Sequence, residues 1–303
     1  MADLDIIIVT FNSAQVLLAC LNSLAPALPE RSIRIILIDN NSSDATAQQS
    51  NSFSSNPPHH VSCTLMANDK NVGFTRAINQ GLKKSDAPFI LILNPDTVLP
   101  ELGIEKLIAI LEKNDSLGIV APQLLNNDRS IQPSCRRLPK RRDVFFHACG
   151  LHLIFSKSAV FNGWKMGDFH HKSAQAVSQP QGAFLLTRDD VVKKVGHLDE
   201  NFPMFFSDVD WCHRVLRAGY TIRFSPEVAI LHHQGQAVNS KRAPMILSSH
   251  RSFIRYIWKY GPEFKWYLPN IFVTLLLVIS GIVRIGLALI LSEKKVGGFD
   301  KST

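Results

Sequence analysis

Apolar and polar positions along this chain fall into blocks. Ile6-Ile7-Ile8-Val9-Thr10, Ile33 to Ile38 and Phe89 to Leu93 are short runs, apolar on both faces and bounded by polar corners. That is the pattern of strands buried inside a sheet. Val61 to Met66 is a further candidate strand. Between these runs the apolar period lengthens. Val16, Leu17, Cys20, Leu21 and Leu24 share one helical face, with Asn12 or Ser13 placed to cap it. The polar run Asp39-Asn40-Asn41-Ser42-Ser43-Asp44 is placed to cap a second helix, and residues 50–60, with Ser, Asn, Pro57 and Pro58, read as loop. Asn71-Val72-Gly73-Phe74 turns into a third helix through Ala77, Ile78, Gly81 and Leu82. Strand and helix in strict alternation predict an α/β fold with a doubly wound, mostly parallel sheet flanked by helices.

Further on, Ile104, Leu107, Ile108 and Leu111 mark a helix and Ile119-Val120-Ala121 a short strand. The periodicity fades from about 123 to 178. It returns as a strand at Gly182 to Thr187, then a helix from Arg188 to Val195 ending at Gly196. Asp208 is placed to cap a helix through Trp211, Val215 and Leu216 to Gly219. A strand near Thr221–Phe224 and the run Ala229 to His233 close this part of the chain. Leu268 to Leu291 is then almost wholly apolar, about as long as a bilayer span, with Arg284 its one charge and Ile271 to Val283 its uninterrupted part. Three readings stay open for it: a buried core helix, a transmembrane helix, or a helix lying in the membrane interface, because a mid-bilayer arginine is costly.

Composition narrows the partners. A net charge of +8 favours an anionic partner: a nucleotide, a phospholipid surface or nucleic acid. The five cysteines are scattered with no CxxC pair, which indicates neither a zinc site nor a disulfide framework and fits a reducing compartment. The acidic N-terminus runs straight into a strand and does not read as a secretory signal. Arg136-Arg137-Leu138-Pro139-Lys140-Arg141-Arg142 is a basic cluster with three readings: a solvated loop, a surface for anionic lipid or a lipid-diphosphate acceptor, or a nucleic-acid contact. The last is set aside, because aromatic interleaving is absent.

Candidate chemistry sits at the strand ends. Pro95 forces the chain out of the Phe89–Leu93 strand, leaving Asp96 where open α/β sheets bind ligands. A carboxylate there can hold Mg²⁺, which favours one or two carboxylates plus phosphate oxygens. A plain strand-end turn is the alternative. A dinucleotide-binding oxidoreductase would need glycines after the first strand, and Thr10-Phe11-Asn12-Ser13-Ala14 has none.

Seven segments, taken together, resemble one family. They are Ile8-Val9-Thr10-Phe11-Asn12-Ser13, Ile38-Asp39-Asn40-Asn41-Ser42-Ser43-Asp44, Asn68-Asp69-Lys70-Asn71-Val72-Gly73-Phe74, Leu93-Asn94-Pro95-Asp96-Thr97, Gln132-Pro133-Ser134-Cys135-Arg136-Arg137, Gly182-Ala183-Phe184-Leu185 and Phe205-Phe206-Ser207-Asp208-Val209-Asp210. Their order over about residues 4–240 is that of the inverting family-2 glycosyltransferases, particularly bacterial rhamnosyltransferase-like members. The resemblance implies a GT-A fold, a nucleoside-diphosphate sugar donor (dTDP-rhamnose or a UDP-sugar), and Mg²⁺ or Mn²⁺. It implies Thr10, Asn12, Asp39, Asn41, Asn71, Gly73 and Asp96 on the donor side and Asp208 as the catalytic base. It places Asp210, Arg136 and Arg137 on the acceptor side, and Asp96 with His232 or His233 at the metal. Two departures stand out: Ser207 where the family usually has Glu, and Gln234-Gly235-Gln236-Ala237 in place of Gly-Gly-x-Ser.

The expected organisation is a transferase domain over 1–240, with a nucleotide-sugar half to about 122 and an acceptor half from 123. A helical linker over 241–267, a hydrophobic membrane-associating segment over 268–291 and a polar tail over 292–303 follow. The expected activity is transfer of a sugar to a lipid-linked glycan in envelope polysaccharide assembly, at the cytoplasmic face of the bacterial inner membrane, with a membrane surface and no nucleic acid as partner. A catalytically inactive nucleotide-sugar-binding or scaffold homologue is the alternative, motivated by Ser207 and opposed by Asp96 and Asp208.

Overall fold

A computed structural model of the chain describes residues 2–233, 242–261 and 267–297. Gln234-Gly235-Gln236-Ala237, the expected boundary at 240 and the end of the polar tail lie outside the described residues. In chain order the elements open with β1 (Leu4–Thr10), α1 (Leu17–Ala27), β2 (Ile33–Asp39), α2 (Thr46–Ser55), β3 (Val61–Ala67), α3 (Phe74–Leu82) and β4 (Phe89–Leu93). Next come β5 (Thr97–Val98), α4 (Gly103–Glu112), β6 (Leu117–Leu125), β7 (Ile131–Gln132), β8 (Cys135–Arg136), α5 (Arg141–Ala148) and α6 (Leu151–Ile154). Then follow β9 (Gln175–Ala176), β10 (Gln179–Pro180), β11 (Phe184–Arg188), α7 (Asp189–Val195), α8 (Ser207–Arg217), β12 (Thr221–His232), α9 (Arg242–Lys259) and α10 (Tyr267–Gly297).

The main sheet runs β3-β2-β1-β4-β11-β6-β12-β5. β1 pairs in parallel with β2 on one side and β4 on the other, and β2 with β3. β11 enters antiparallel between β4 and β6, which makes the sheet mixed. The chain therefore reverses its direction of travel across the sheet at β1 and β4. Open α/β sheets bind ligands beyond the carboxyl ends of strands at such a switch point. Every residue of β1 is buried. Ile6 and Ile8 join the core with Leu17, Leu21 and Leu24 of α1 and Leu107 of α4. On the opposite face, Ile7 meets α3 at Gly81, where an added Cβ would stand 2.5 Å from Ile7 Cγ2. The one buried charge in β1, Asp5, accepts from Arg34 Nε and Nη2, both at 2.7 Å, and from the backbone amides of Asp86 and Ala87.

Several sequence expectations are corrected. α1 begins at Leu17 without a side-chain cap, because Asn12 and Ser13 are engaged elsewhere: Asn12 Oδ1 accepts from the Ser43 amide at 2.8 Å. α2 continues to Ser55 through residues read as loop, with Ser50, Ser54 and Ser55 bonding back to carbonyls one turn earlier. The two segments expected at 221–224 and 229–233 are one strand, β12, with an irregularity between Ser225 and Ala229.

The chain divides into two compact units, one of Met1–Leu138, Phe169–Pro203 and Ser207–Ala237, the other of Pro139–Asp168, Met204–Phe206 and Val238–Thr303. The 139–168 stretch thus groups with the C-terminal helices rather than with the sheet, and aromatic packing explains it. Trp164 lies 5.1 Å from Phe253 of α9, and Phe206 lies 4.8 Å from Phe253 and 5.6 Å from Tyr256. Arg141 Nε donates to Asn270 Oδ1 of α10 at 2.7 Å. Residues Tyr267–Gly286 are long and apolar enough to cross a membrane.

The Gly81 contact is testable. Gly81→Ala forces a methyl against Ile7, an overpacking that costs about 1–3 kcal/mol, against about 1 kcal/mol gained in helix propensity. We expect a net loss of about 1 kcal/mol, read as a lower urea midpoint of the detergent-solubilised chain. An unchanged or raised midpoint would show that Ile7 has room to yield.

Candidate functional site

The carboxyl ends of β1 and β2 are welded together. Thr10 and Asp39 are register partners. Asp39 is buried, and its Oδ1 accepts from Thr10 Oγ1 at 3.0 Å and Ser42 Oγ at 2.6 Å, while Oδ2 accepts from the Ser42 amide at 3.1 Å. Asn12 and Asn41, at φ 51° and 65°, occupy the left-handed region that Asn tolerates better than other side chains. Asn41 is exposed. The buried Asn40 organises the next loop: its Oδ1 accepts from the Val72 amide and Asn68 Nδ2, and its Nδ2 donates to Asn71 Oδ1 at 2.9 Å. Asn71 Oδ1 also receives the Gly73 amide. Gly73 sits at φ 89°, with Pro203 O 3.4 Å from where a Cβ would stand, so a side chain there is strained.

The end of β4 forms a second corner. His232, near the end of β12, opposes Thr97 in the β12–β5 ladder, and the His233 amide donates to the Asp96 carbonyl at 2.8 Å. This register turns the two histidines apart. His232 is buried, its Nδ1 2.7 Å from Gln132 Oε1 and its Nε2 3.4 Å from Asp96 Oδ1. His233 Nδ1 instead meets Asn127 Oδ1 at 2.6 Å. With Nδ1–H given to Gln132, His232 presents a lone pair at Nε2. Asp96 Oδ1 is buried without a hydrogen-bond partner. With the ring in that neutral tautomer, Nε2 and Asp96 Oδ1 face each other as two acceptors and fit a divalent cation, for which Asp96 and His232 would be the protein ligands. Among the described residues no group of three or more His, Cys, Asp or Glu forms a metal cluster, so the remaining ligands would be phosphate oxygens and water.

The third element is Asp208. It is the second residue of α8, and it is not the helix cap expected from sequence. Its Oδ2 accepts from Gln179 Nε2 at 2.8 Å and from the Gly182 amide at 3.1 Å. Burial raises its carboxyl above the ordinary value, and the bonds from Val209, Gly182 and Gln179 oppose that rise. An added Cβ on Gly182 would lie 3.1 Å from Asp208 Cβ, so a side chain there would have to push Asp208 by a few tenths of an ångström. Beside Gly182, the Ala183 carbonyl accepts from the Asn94 amide at 2.9 Å, tying the Asp208 loop to the Asp96 corner through backbone. Arg136 opposes Gln179 in the β8–β10 ladder, and its Nη1 donates to the Pro133 and Cys135 carbonyls. Burial lowers its guanidinium, while the Asp208 charge is among those that raise it. Arg137 is half-buried one residue on.

Asp210, expected on the acceptor side, lies on the same helix as Asp208. It is fully buried, and its Oδ2 accepts from Arg214 Nε at 2.9 Å. Two residues apart on a helix lie about 200° around its axis, so Asp208 and Asp210 point to opposite sides. Gln179 escaped sequence reasoning, since a neutral amide in an aperiodic stretch gives no signal. Gln132 and Asn40 lay inside quoted motifs, but nothing marked them as the residues that position His232 and the Asn71 loop.

The sheet thus brings a carboxylate–imidazole pair and a separate buried carboxylate to its switch-point edge. Sequence comparison gives the class. The profile of Glycosyl transferase family 2 matches residues 5–160, more than half of the chain, and the chain belongs to this family. It is thus a glycosyltransferase, with the GT-A fold. The N-acetylglucosaminyl-diphospho-decaprenol L-rhamnosyltransferase of Mycobacterium tuberculosis is 25% identical over 263 residues, 82% of each chain. The dTDP-rhamnosyl transferase RfbF of Shigella flexneri is 23% identical over 230 residues, 75% of this chain and 67% of that one. GalNAc-T7, solved with UDP, GalNAc and Mn²⁺, matches with a TM-score of 0.63 at 12% identity, over 88% of this chain and 49% of that one. The mannosyltransferase PcManGT from Pyrobaculum calidifontis, solved with GDP-Man and Mn²⁺, matches at 0.57 and 12%, over 99% of this chain and 81% of that one. At such identities the structural likeness speaks for the fold alone.

The Gln179 contact sets a pH dependence. If Asp208 is the base it must be ionised to act, and kcat/KM would then fall as pH drops through its raised value. Gln179→Leu removes a donor that favours the carboxylate, so the acidic limb should move to higher pH. A limb that stays in place would show that Gln179 does not tune Asp208.

Proposed function

We propose that this chain transfers L-rhamnose from dTDP-rhamnose, with inversion, to a lipid-linked glycan at the cytoplasmic face of a bacterial inner membrane, in envelope polysaccharide assembly. The observation that carries the reading is the pair of facing acceptors, Asp96 Oδ1 and His232 Nε2, 3.4 Å apart at the switch-point edge. Mg²⁺ or Mn²⁺ bound there would offset negative charge on the departing diphosphate. Thr10, Asn12, Asp39, Asn41, Asn71 and Gly73 form the nucleotide side, on the two loops that Asp39 and Asn40 brace. Arg136 serves the acceptor side, since it opposes Gln179, the residue that donates to Asp208, and the Asp208 charge acts on its guanidinium. Asp208 takes the acceptor hydroxyl's proton as that oxygen bonds to the anomeric carbon and the bond from that carbon to the diphosphate breaks. The proton ends on Asp208 and the electron pair on the leaving diphosphate.

The donor and acceptor classes follow the relatives' names: one rhamnosyltransferase is named for a diphospho-decaprenol acceptor and another for dTDP-rhamnose. The apolar Tyr267–Gly286 stretch of α10 would keep the enzyme at the membrane where such acceptors reside. Ser207, the departure that motivated an inactive homologue, is buried at the start of α8 and leaves Asp208 in place.

A panel of dTDP-rhamnose and UDP- and GDP-sugars, incubated with bacterial membrane lipid extract, tests the reading. Label from dTDP-rhamnose should enter the lipid fraction only with a divalent cation, and Asp96→Ala should abolish transfer. Preferred use of a UDP-sugar would overturn the donor, and transfer in excess chelator would overturn the cation.

A further inference from the structure

We propose that the α6 tip, Leu153-Ile154-Phe155, is a second membrane contact, inserted into the same anionic bilayer that α10 occupies. This rests on the membrane reading of α10 given above. Leu153 and Ile154 are each 71% exposed, Phe155 47% and Val160 49%. A single exposed apolar side chain is ordinary, whereas four within eight residues mark an interaction surface.

The tip is held rigidly. On its inner side Phe155 and Phe146 pack on Phe161, with centroids at 4.8 and 5.0 Å, and Trp164 lies against Phe253. The outward residues are therefore displayed by a built scaffold. That scaffold belongs to the same compact unit as α10, which buries Val273 and Leu277 within the protein and exposes Leu268, Ile279 and Ile282. The Arg141–Asn270 bond fixes the start of α5 to the start of the apolar stretch, and Asn270 is fully buried.

Charge names the occupant. From Pro139 to Val160 the exposed charges, Lys140, Arg142 and Lys157, are all positive. The only acid in that stretch, Asp143, is buried and accepts from the Lys140 amide. An exposed apolar tip in a stretch whose exposed charges are all positive matches the boundary between acyl chains and anionic headgroups. His147 and His152 stack at 3.7 Å, and burial pushes His147 down to about 3, with Lys165, His152 and Arg284 acting in the same direction. Arg284 acts on His152 as well. The charge of Arg284 thus acts on the stacked imidazoles that precede the tip.

The test uses the full chain, reconstituted into phosphatidylethanolamine–phosphatidylglycerol vesicles with increasing brominated lipid. A bimane fluorophore is attached at Ile154→Cys, at Ile279→Cys on α10, or at Ser54→Cys on α2, each in a Cys149→Ser background because Cys149 is an exposed thiol. We expect a quenching slope at 154 within about twofold of that at 279, and none at 54. Quenching at 279 without quenching at 154 would overturn the inserted tip while leaving α10 in the membrane. Absence of quenching at both would overturn the membrane reading itself. Quenching at 154 that persists in phosphatidylcholine-only vesicles at full strength would overturn the role of the cations in placing the tip on anionic lipid.

Discussion

The site depends on two backbone hydrogen bonds at the mouth of β4. The Asn94 amide donates to the Ala183 carbonyl, and the His233 amide donates to the Asp96 carbonyl. The first fastens the turn after β4 to the segment whose Gly182 amide holds Asp208. The second fixes β12 against β5 in the register that aims His232 at Asp96 and turns His233 toward Asn127. A slip of one residue in that ladder would exchange the two histidines, because side chains alternate along a strand. Asp96 and Asp208, more than a hundred residues apart in sequence, are tied to one edge through β11, which is threaded antiparallel between β4 and β6.

Side-chain amides do much of the remaining positioning. Gln132 orients His232, Gln179 holds Asp208, and Asn40 braces the loop of Asn71 and Gly73. Neutral amides suit the task. Gln179 donates to a carboxylate that must stay basic, and a cation there would quench it further. Gln132 can accept from His232 Nδ1, and in the neutral ring that leaves the Nε2 lone pair facing Asp96. A carboxylate at 132 would favour imidazolium instead, and with it the loss of that lone pair.

Sequence revealed most of the sheet and the strand-end polar residues for one reason. Strands buried on both faces write continuous apolar runs, and the polar residues that end them stand at the ligand edge. β1, β2, β4 and Asp39 and Asp96 were legible in that way. What lay outside was decided by tertiary contact. α2 is rich in serine and buries only Thr46, Ser50 and Phe53, too few apolar positions to show a period. Residues 139–168 carry aromatics without periodicity because they pack on α9 through ring contacts rather than along one helical stripe. Asp208 and Asp210 looked equivalent in sequence and are separated by the turn of one helix, one facing Gln179 and the other Arg214.

The central claim is that Asp208 acts as the base at an edge whose donor-holding groups lie elsewhere. Its most direct test is the transfer rate and donor affinity of Asp208→Asn. Asparagine keeps an oxygen for the Gln179 and Gly182 donors, so fold and donor affinity should be retained, while transfer falls by about 10²–10⁴-fold. A well-folded Asp208→Asn enzyme with full transfer activity would contradict the account.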